Sequence, residues 1–439
     1  MITLDKYPIG EYHYAKNEAS GSLDGPWGTF YWADVLDGMS GIVERYEGKI
    51  QLIYLDPPFM TGCIYRYRQK IGEKGYLEHI AYSDRWVEGK KHYLDFMTEV
   101  FEHVYSLLNP EGSFFLHVDY RTCAYLRIIL DKIFGEKNFL NEIIWHYQSG
   151  GRAKRHFSRK HDNILFYRKS PKHYFNMEAL GKERGTKKRN NMKMQVDDNG
   201  RVSWTIKSGG RIYRYYEDSK IYPSDVWTDI SHLHQRDPER IGYDTQKPEA
   251  LLERIILSSS RPGDVVADFF AGSGTTLSVA TMLSRKWIGM DSSPHAMNVC
   301  RKRLLGLGAR NDFAIYYKGK SRPIGKSELI VEKQVDQYPD DGENSKRIHT
   351  IRIVDYKPAS DTRIHVLENV DQDIKGMEYI DYWAVGHIKG DLFYPIKCVW
   401  RMDGQSVIND TITLNGSMNQ DLVVHLVDIL GDQHFYKFI

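Results

Sequence analysis

The sequence predicts an α/β fold: a mostly parallel sheet, a basic insertion that interrupts it, and a small β-rich domain that follows. Three observations carry that expectation. Short apolar runs alternate with amphipathic stretches of helical spacing, the pattern of strands joined by crossover helices. Residues 151–220 hold 19 Lys and Arg against 7 Asp and Glu, whereas residues 331–439 hold 11 against 18. Beyond Gln337–Ser345, an acidic turn-rich linker, the chain turns to Val-, Ile-, Tyr- and Trp-rich runs separated by turn residues.

Lys49–Asp56 (KIQLIYLD) is an apolar run that ends in a carboxylate, and Pro57 and Pro58 stop the strand because proline donates no ladder hydrogen bond. Leu94, Met97, Phe101, Val104 and Leu108 recur at intervals of three and four, so Lys91–Leu108 is a helix. After the Asn109–Gly112 turn, Ser113–Val118 is a buried strand, Arg121–Phe134 a helix stopped by Gly135, and Asn141–Tyr147 another strand. From Ser149 the alternation breaks, and Ser170–Gly210, rich in Lys, Asn and Gly, resembles an insertion or a small separate module. The pattern resumes at Pro248, which suits the first turn of a helix whose apolar face is Leu251, Leu252, Ile255 and Ile256. Strand Val265–Phe270, helix Leu277–Leu283, strand Trp287–Asp291 and a helix from Ser292 to Leu305 follow. His349–Val354, Thr362–Val366, Tyr379–Val385, Leu392–Trp400 and Leu422–Leu430 are the strand candidates of the last region.

At 439 residues the chain has length for about three domains and a sizeable core. Apolar content of 41% and charged content of 27% exclude wholesale disorder and fibre architectures. Apolar runs such as Val265–Ala271 fall far short of the ~20 residues that cross a bilayer, and the first residues lack a secretory pattern. Cys63, Cys123, Cys300 and Cys398 form no C-x-x-C pair, so reduced thiols and a cytoplasmic location are expected. His156, His161, His232 and His234 lack metal-ligand spacing, and no metal is expected. The basic segment suggests a polyanion met by one region, against the competing reading of a solvated surface loop.

Two strand-end motifs carry chemistry. In Ala267–Thr276 (ADFFAGSGTT) a buried strand runs through Gly272 and Gly274 into a helix, which allows a tight turn and close backbone approach to a ligand. The third glycine of the dinucleotide fingerprint is missing. Asp291 ends the next strand, where a carboxylate can accept both hydroxyls of a ribose. These features together imply a nucleoside ligand without demanding a phosphate. In Asp56-Pro57-Pro58-Phe59 the prolines fix the backbone, so that the Asp carboxylate and the Pro57 carbonyl present two acceptors beside a flat ring. That arrangement suits an exocyclic amino group on a stacked base. Either motif alone is also compatible with a plain turn.

Taken together, the two motifs resemble the amino-methyltransferases of DNA that use S-adenosylmethionine. The acceptor motif precedes the glycine loop by over two hundred residues, as in the permuted β group of that family. The resemblance spans Phe30–Leu305 and implies a doubly wound, mostly parallel methyltransferase sheet. It divides the chain into a catalytic half (1–148), a basic target-recognition region (149–237), a cofactor half (238–320) and a C-terminal accessory domain (337–439). Asp56, Pro57, Pro58 and Phe59 then hold the target amino group. Asp268, Phe269, Phe270, Gly272, Gly274, Thr275 and Asp291 hold the cofactor, with Lys247 and Pro248 of Thr245–Pro248 (TQKP) at its methionine end. Tyr31–Leu36 resembles the family's adenine-ring contact, with Asp34 as acceptor for a base. Ser158–Tyr167 is similar to the entry of the recognition region. Arg152, Arg155, Lys187, Lys188 and Arg189 are the expected DNA contacts. Phe59 stands where the family often has tyrosine, which preserves stacking.

The implied activity is methylation of N6 of adenine in a flipped-out base of double-stranded DNA, with a homodimer and a cognate restriction enzyme as partners and no membrane. Alternatives are cytosine-N4 methylation, action on RNA or a protein glutamine, and a non-catalytic DNA-binding module. A further alternative is a C-terminal nuclease, since Pro339-Asp340 and Asp355-Tyr356-Lys357 loosely match a metal-dependent pattern.

Overall fold

The structure, a computed structural model, describes residues 26–71, 75–147, 152–185, 191–308 and 313–317. It also describes 327–438 outside 339–345, 359–373, 375, 391, 403–404, 406 and 416–420, and the short strands Ile2–Thr3, Asp5–Tyr7 and His13–Ala15.

The spine is a sheet whose first nine strands run in the order Val226–Trp227, Phe139–His146, His161–Arg168, Leu108–Val118, Ile50–Leu55, Val265–Asp268, Lys286–Asp291, Gly28–Trp32 and Phe313–Tyr317. Every neighbouring pair is parallel except the two made by His161–Arg168. Side chains alternate between two buried faces. Ile53, Leu55, Phe114 and Leu116 pack under the helices Val35–Tyr46, Gly89–Leu107 and Cys123–Phe134. Leu52, Tyr54, Phe115 and Val266 pack under Glu249–Ser259, Thr275–Met282 and Pro294–Gly306. Strands covered on both faces have no polar side, which is why these runs read as continuously apolar. The expected doubly wound sheet is present.

Ile50–Leu55 and Val265–Asp268 lie side by side, with Leu52 opposite Val266 and Ile53 opposite Ala267. From this pair the strand order runs outward in both directions, which makes it a switch point with a crevice beyond the carboxyl ends.

Most expected elements shift by only a residue or two, but the strand expected at Ser113–Val118 begins at Leu108 and takes in the expected Asn109–Gly112 turn. Strand Val265–Asp268 stops short of Phe270 because the Asp268 carboxylate accepts the Phe270 N–H at 3.0 Å and turns the chain. Pro248 caps its helix from the position before the first helical residue. Thr362–Val366 lies outside the described residues. Strand Gly28–Trp32, helix Val35–Tyr46 and the hairpin Ile64–Ile71/Gly75–Ser83 are additions to the reading of the sequence. Within the basic region, Lys193–Val196, Val202–Ser208 and Arg211–Tyr216 form a three-stranded antiparallel sheet.

The C-terminal region extends the main sheet. His13–Ala15 bridges Phe313–Tyr317 to Leu392–Trp400, and Ile380–Lys389, Val423–Asp428, Gln433–Lys437 and Asp5–Tyr7 continue it. A second sheet, Ile2–Thr3, Glu328–Tyr338, Lys346–Lys357 and Thr411–Asn415, covers one face around Leu329, Ile351, Trp383, Leu426 and Tyr436. The other face meets helix Pro294–Gly306. There the buried Asp381 carboxylate accepts from Asn298 Nδ2 at 2.5 Å and Lys302 Nζ at 2.8 Å, and Arg301 donates to Gln433 at 3.0 Å. Of the nuclease-like pattern, Asp340 lies outside the described residues. Asp355 accepts the Tyr356 N–H, and Lys357 pairs with Glu328 at 3.0 Å on the surface. Among the described residues no group of three His, Cys, Asp or Glu could hold a metal ion, and no helix is long and apolar enough to cross a membrane.

Candidate active site and cofactor pocket

The switch point opens into a cavity of about 450 Å³ lined by the ends of four parallel strands. Ala33, Asp34 and Val35 follow the first of these strands, Asp56 and Pro58 the second, Asp268–Ser273 the third, and Asp291–Pro294 the fourth.

The glycine loop is held by two carboxylates. Asp268 accepts from Phe270 N at 3.0 Å and Thr276 Oγ1 at 2.6 Å. Asp291 accepts from Gly272 N at 2.9 Å and Ser293 N at 2.8 Å. Burial raises both carboxyls, Asp268 to about 7, against the lowering effect of those hydrogen bonds. Gly274, at φ +73°, has no room for a side chain, since a Cβ there would lie 2.6 Å from Cys300 Sγ. Arg303 braces the loop from behind, donating to Ser273 O at 3.2 Å and pairing with Glu249 at 2.6 Å. Asp34 caps the following helix by accepting Leu36 N at 3.1 Å, and its carboxylate lines the cavity.

The second motif is anchored separately. Asp84, 1% exposed, accepts from Phe59 N, Thr61 N and Thr61 Oγ1 on one oxygen and from Met60 N and Trp86 Nε1 on the other, all within 2.7–3.2 Å. These bonds hold Met60 at φ +60°, a left-handed conformation that costs a non-glycine residue about 1–2 kcal/mol. Tyr93 donates to Pro58 O at 2.8 Å. The Phe59 ring stacks on His117 with 6.0 Å between centroids. His117 contacts Tyr54 OH at 2.8 Å and Asp162 at 3.2 Å, and Tyr147 donates to Asp162 at 2.9 Å. Burial is the largest single influence on Asp162 and opposes its ionisation, but the hydrogen bond and charge of His117, with Lys247 and Tyr147, together hold the carboxyl below its ordinary value.

Lys247 joins the two loops. Its Nζ lies 2.5 Å from Asp56 Oδ2, and its carbonyl accepts Thr275 Oγ1 at 3.2 Å. Asp56 and Lys247 are 191 residues apart in the chain, yet both side chains are largely buried in the same crevice.

The structure brings together Asp34, Asp56, Pro58, Lys247, Asp268, Phe269, Phe270, Gly272, Thr275 and Asp291 around one cavity. Pro57 is buried at the strand end, and Pro248 caps its helix away from the lining. Arg152 and Arg155 are exposed on the loop before strand His161–Arg168, while Lys187, Lys188 and Arg189 lie outside the described residues. Asp84, Tyr93, His117 and Arg303 escaped the reading of the sequence because each acts on a loop distant in the chain. Asp162 lies inside the Ser158–Tyr167 stretch that signalled the resemblance, and this was the one available sign of it.

A glycine turn, a carboxylate at the end of the next strand and a separately anchored acidic loop at one switch-point crevice form the kind of site in which doubly wound sheets bind nucleoside ligands. A family model described as DNA methylase, covering adenine-N6 and cytosine-N4 enzymes, matches residues 50–302, more than half of the chain. The chain belongs to that family, and its methyl donor is S-adenosylmethionine. It is 29% identical over 333 residues to the type II methyltransferase M.EcaI of Enterobacter cloacae, covering 65% of this chain and 71% of that one. It is 30% identical over 270 residues to the DNA adenine methyltransferase YhdJ of Escherichia coli K12, covering 61% and 80%. A putative DNA modification methylase of Thermus thermophilus, solved with S-adenosylmethionine, superposes with a TM-score of 0.42 at 18% identity, covering 67% and 99%. The cavity fits the donor: its volume is that of a small-ligand site, and its lining combines the polar ends of four strands with the apolar side chains of Val35, Leu252 and Phe270.

Proposed function

We propose that the chain methylates the N6 amino group of adenine in double-stranded DNA. The observation that carries the reading is the Lys247 bridge between two strand-end acid loops, which joins an acceptor motif to a glycine cradle at one crevice. Bound S-adenosylmethionine supplies an electrophilic methyl group on a cationic sulfur. Asp291 accepts the ribose hydroxyls, Asp34 is the acceptor for a base, and the Asp268–Thr275 loop walls the methionine end.

The exocyclic amino nitrogen is a poor nucleophile because its lone pair is delocalised into the ring. Hydrogen bonds to Asp56 and to the Pro57 carbonyl favour a pyramidal nitrogen with its lone pair aimed into the cofactor cavity, stabilising the transition state by orientation and fixed dipoles. Lys247 fixes one Asp56 oxygen and leaves the other for the base. The nitrogen loses its proton during or after transfer. Phe59, backed by His117, is the platform for a base that leaves the duplex at a cost of a few kcal/mol. Arg152, Arg155, Lys187, Lys188 and Arg189 are proposed phosphate contacts, which position without reading sequence.

Adenine is favoured over cytosine because family members that act on adenine mostly carry Asp at the first motif position, where cytosine-N4 members more often carry Ser. The carboxylate is the stronger acceptor, and the adenine activity named for the Escherichia coli relative agrees. The test is mass separation of nucleosides from DNA treated with the protein and S-adenosylmethionine. N6-methyldeoxyadenosine is expected, and N4-methyldeoxycytidine would overturn the choice of base.

A further inference from the structure

We propose that Phe157 is a wedge that enters the duplex and fills the gap left by the flipped base. The inference rests on the reading of Asp56 and Phe59 as the acceptor site. Phe157 is 97% exposed, and among the described large apolar side chains only Val87 equals it. A lone exposed phenylalanine is ordinary on a protein surface, so what gives this one a role is the loop that carries it and where that loop stands.

The surroundings identify a partner. Residues 152–160 read RAKRHFSRK, with five Arg or Lys and no Asp or Glu. Val87, by contrast, is followed by Glu88. A cationic loop with an aromatic tip matches a polyanion that has a stacked apolar interior, which is duplex DNA. The loop also stands in the right place. Strand His161–Arg168 runs antiparallel to Leu108–Val118, with Asn163 opposite Val118, so the residues before His161 emerge at the edge where Asp56 ends its own strand. Arg159 stacks over Tyr120, two residues past the end of Leu108–Val118, with 3.9 Å to the ring centroid. Asp162, at the root of the loop, contacts His117 at 3.2 Å, and His117 backs the Phe59 ring. Phe157 lies five residue steps before Asp162, a reach of at most about 17 Å. The tip is braced within the loop, with Ala153 N donating to Ser158 Oγ at 3.1 Å. The ring therefore enters where a base extruded toward Phe59 would leave its neighbours unstacked.

The experiment compares two duplexes carrying the recognition site, found beforehand by sequencing DNA that the protein has methylated. One has the target base normally paired, and the other has it opposite an abasic position, where extrusion is already eased. Phe157→Ala should lower kcat/KM on the paired duplex about ten- to hundred-fold, the range for removal of one base–aromatic stack. The same variant should stay within about three-fold of wild type on the abasic duplex, because little unstacking remains to be offset. Phe157→Trp should recover most of the activity, and thermal unfolding should match wild type for both variants. An alanine variant within two-fold of wild type on paired DNA would overturn the inference, as would an equal loss on both duplexes. A wild-type protein that leaves DNA unmethylated would overturn the acceptor-site reading and this inference with it.

Discussion

Asp84 is the residue whose removal should most sharply separate the acceptor loop from the rest of the protein. Its carboxylate takes five hydrogen bonds from residues 59–61 and Trp86 while being 1% exposed. Hydrogen bonds to a charged group contribute about 1.5–3 kcal/mol each, yet residues 59–61 are only half-buried, so water can replace most of them in a variant. Counting about two bonds as lost outright gives ~3 kcal/mol, enough to release Met60 from its left-handed conformation and free the loop. Asp84→Ala should therefore lower single-turnover methyl transfer by about a hundred-fold, at ~1.4 kcal/mol per decade with the remainder felt as reduced stability. Cofactor affinity should be nearly unchanged, because Asp268 and Asp291 hold the glycine loop independently of Asp84. Rapid-quench transfer with labelled donor and calorimetric titration of the cofactor measure the two quantities. Turnover within three-fold of wild type would refute the anchoring role, and a parallel collapse of cofactor affinity would refute the separateness of the loops.

The other expectations can be checked with the same preparations. Asp56→Ala should abolish turnover with little change in cofactor affinity, whereas Asp291→Ala should weaken cofactor binding first; near-wild-type turnover of the former would remove Asp56 from the mechanism. Replacing Lys187, Lys188 and Arg189 together should weaken DNA binding and flatten its salt dependence by about one unit of slope for each phosphate no longer neutralised. An unchanged slope would mean that this run is a solvated loop. Burial raises the Asp268 carboxyl from 3.8 to about 7, so the folded state binds a proton that the unfolded chain has released between those values. Stability from this group falls as pH rises through that window and is flat above it. Asp268→Asn should therefore show a shallower fall in urea-unfolding free energy from pH 5 to pH 7 than wild type, and an identical pH profile would contradict the buried, proton-binding carboxyl.

Local chemistry accounts for what could be read from the sequence. The Leu94–Leu108 spacing, the Pro57-Pro58 stop and the Gly272/Gly274 turn are each settled within a few residues, and so are the helices, strand ends and cradle they imply. Even the doubly wound sheet follows, because strands covered on both faces must be apolar throughout. The hairpin Ile64–Ile71/Gly75–Ser83 carries no such mark. Its strands mix Tyr and Arg with Gln, and Tyr67 packs on Tyr243 and His295 from elsewhere in the fold, while buried Gln69 meets His79 of the opposite strand, so no local apolar face marks the hairpin.

Tertiary structure alone decided how the pieces act together. Asp84 reaches a loop 23–25 residues upstream, and Lys247 closes on Asp56 across 191 residues. The N-terminal strands complete sheets begun more than three hundred residues later. Nothing local distinguishes Asp84 from a solvated acid or tells that Lys247 meets Asp56, because the free energy that selects their partners comes from burial, and burial exists only once the sheet has formed. The sequence by itself thus marked the two strand-end motifs expected to meet a nucleoside and a base. The packing of distant strand ends determined which carboxylates hold loops, which one meets Lys247, and that Phe157 is left exposed on a basic loop at the same edge.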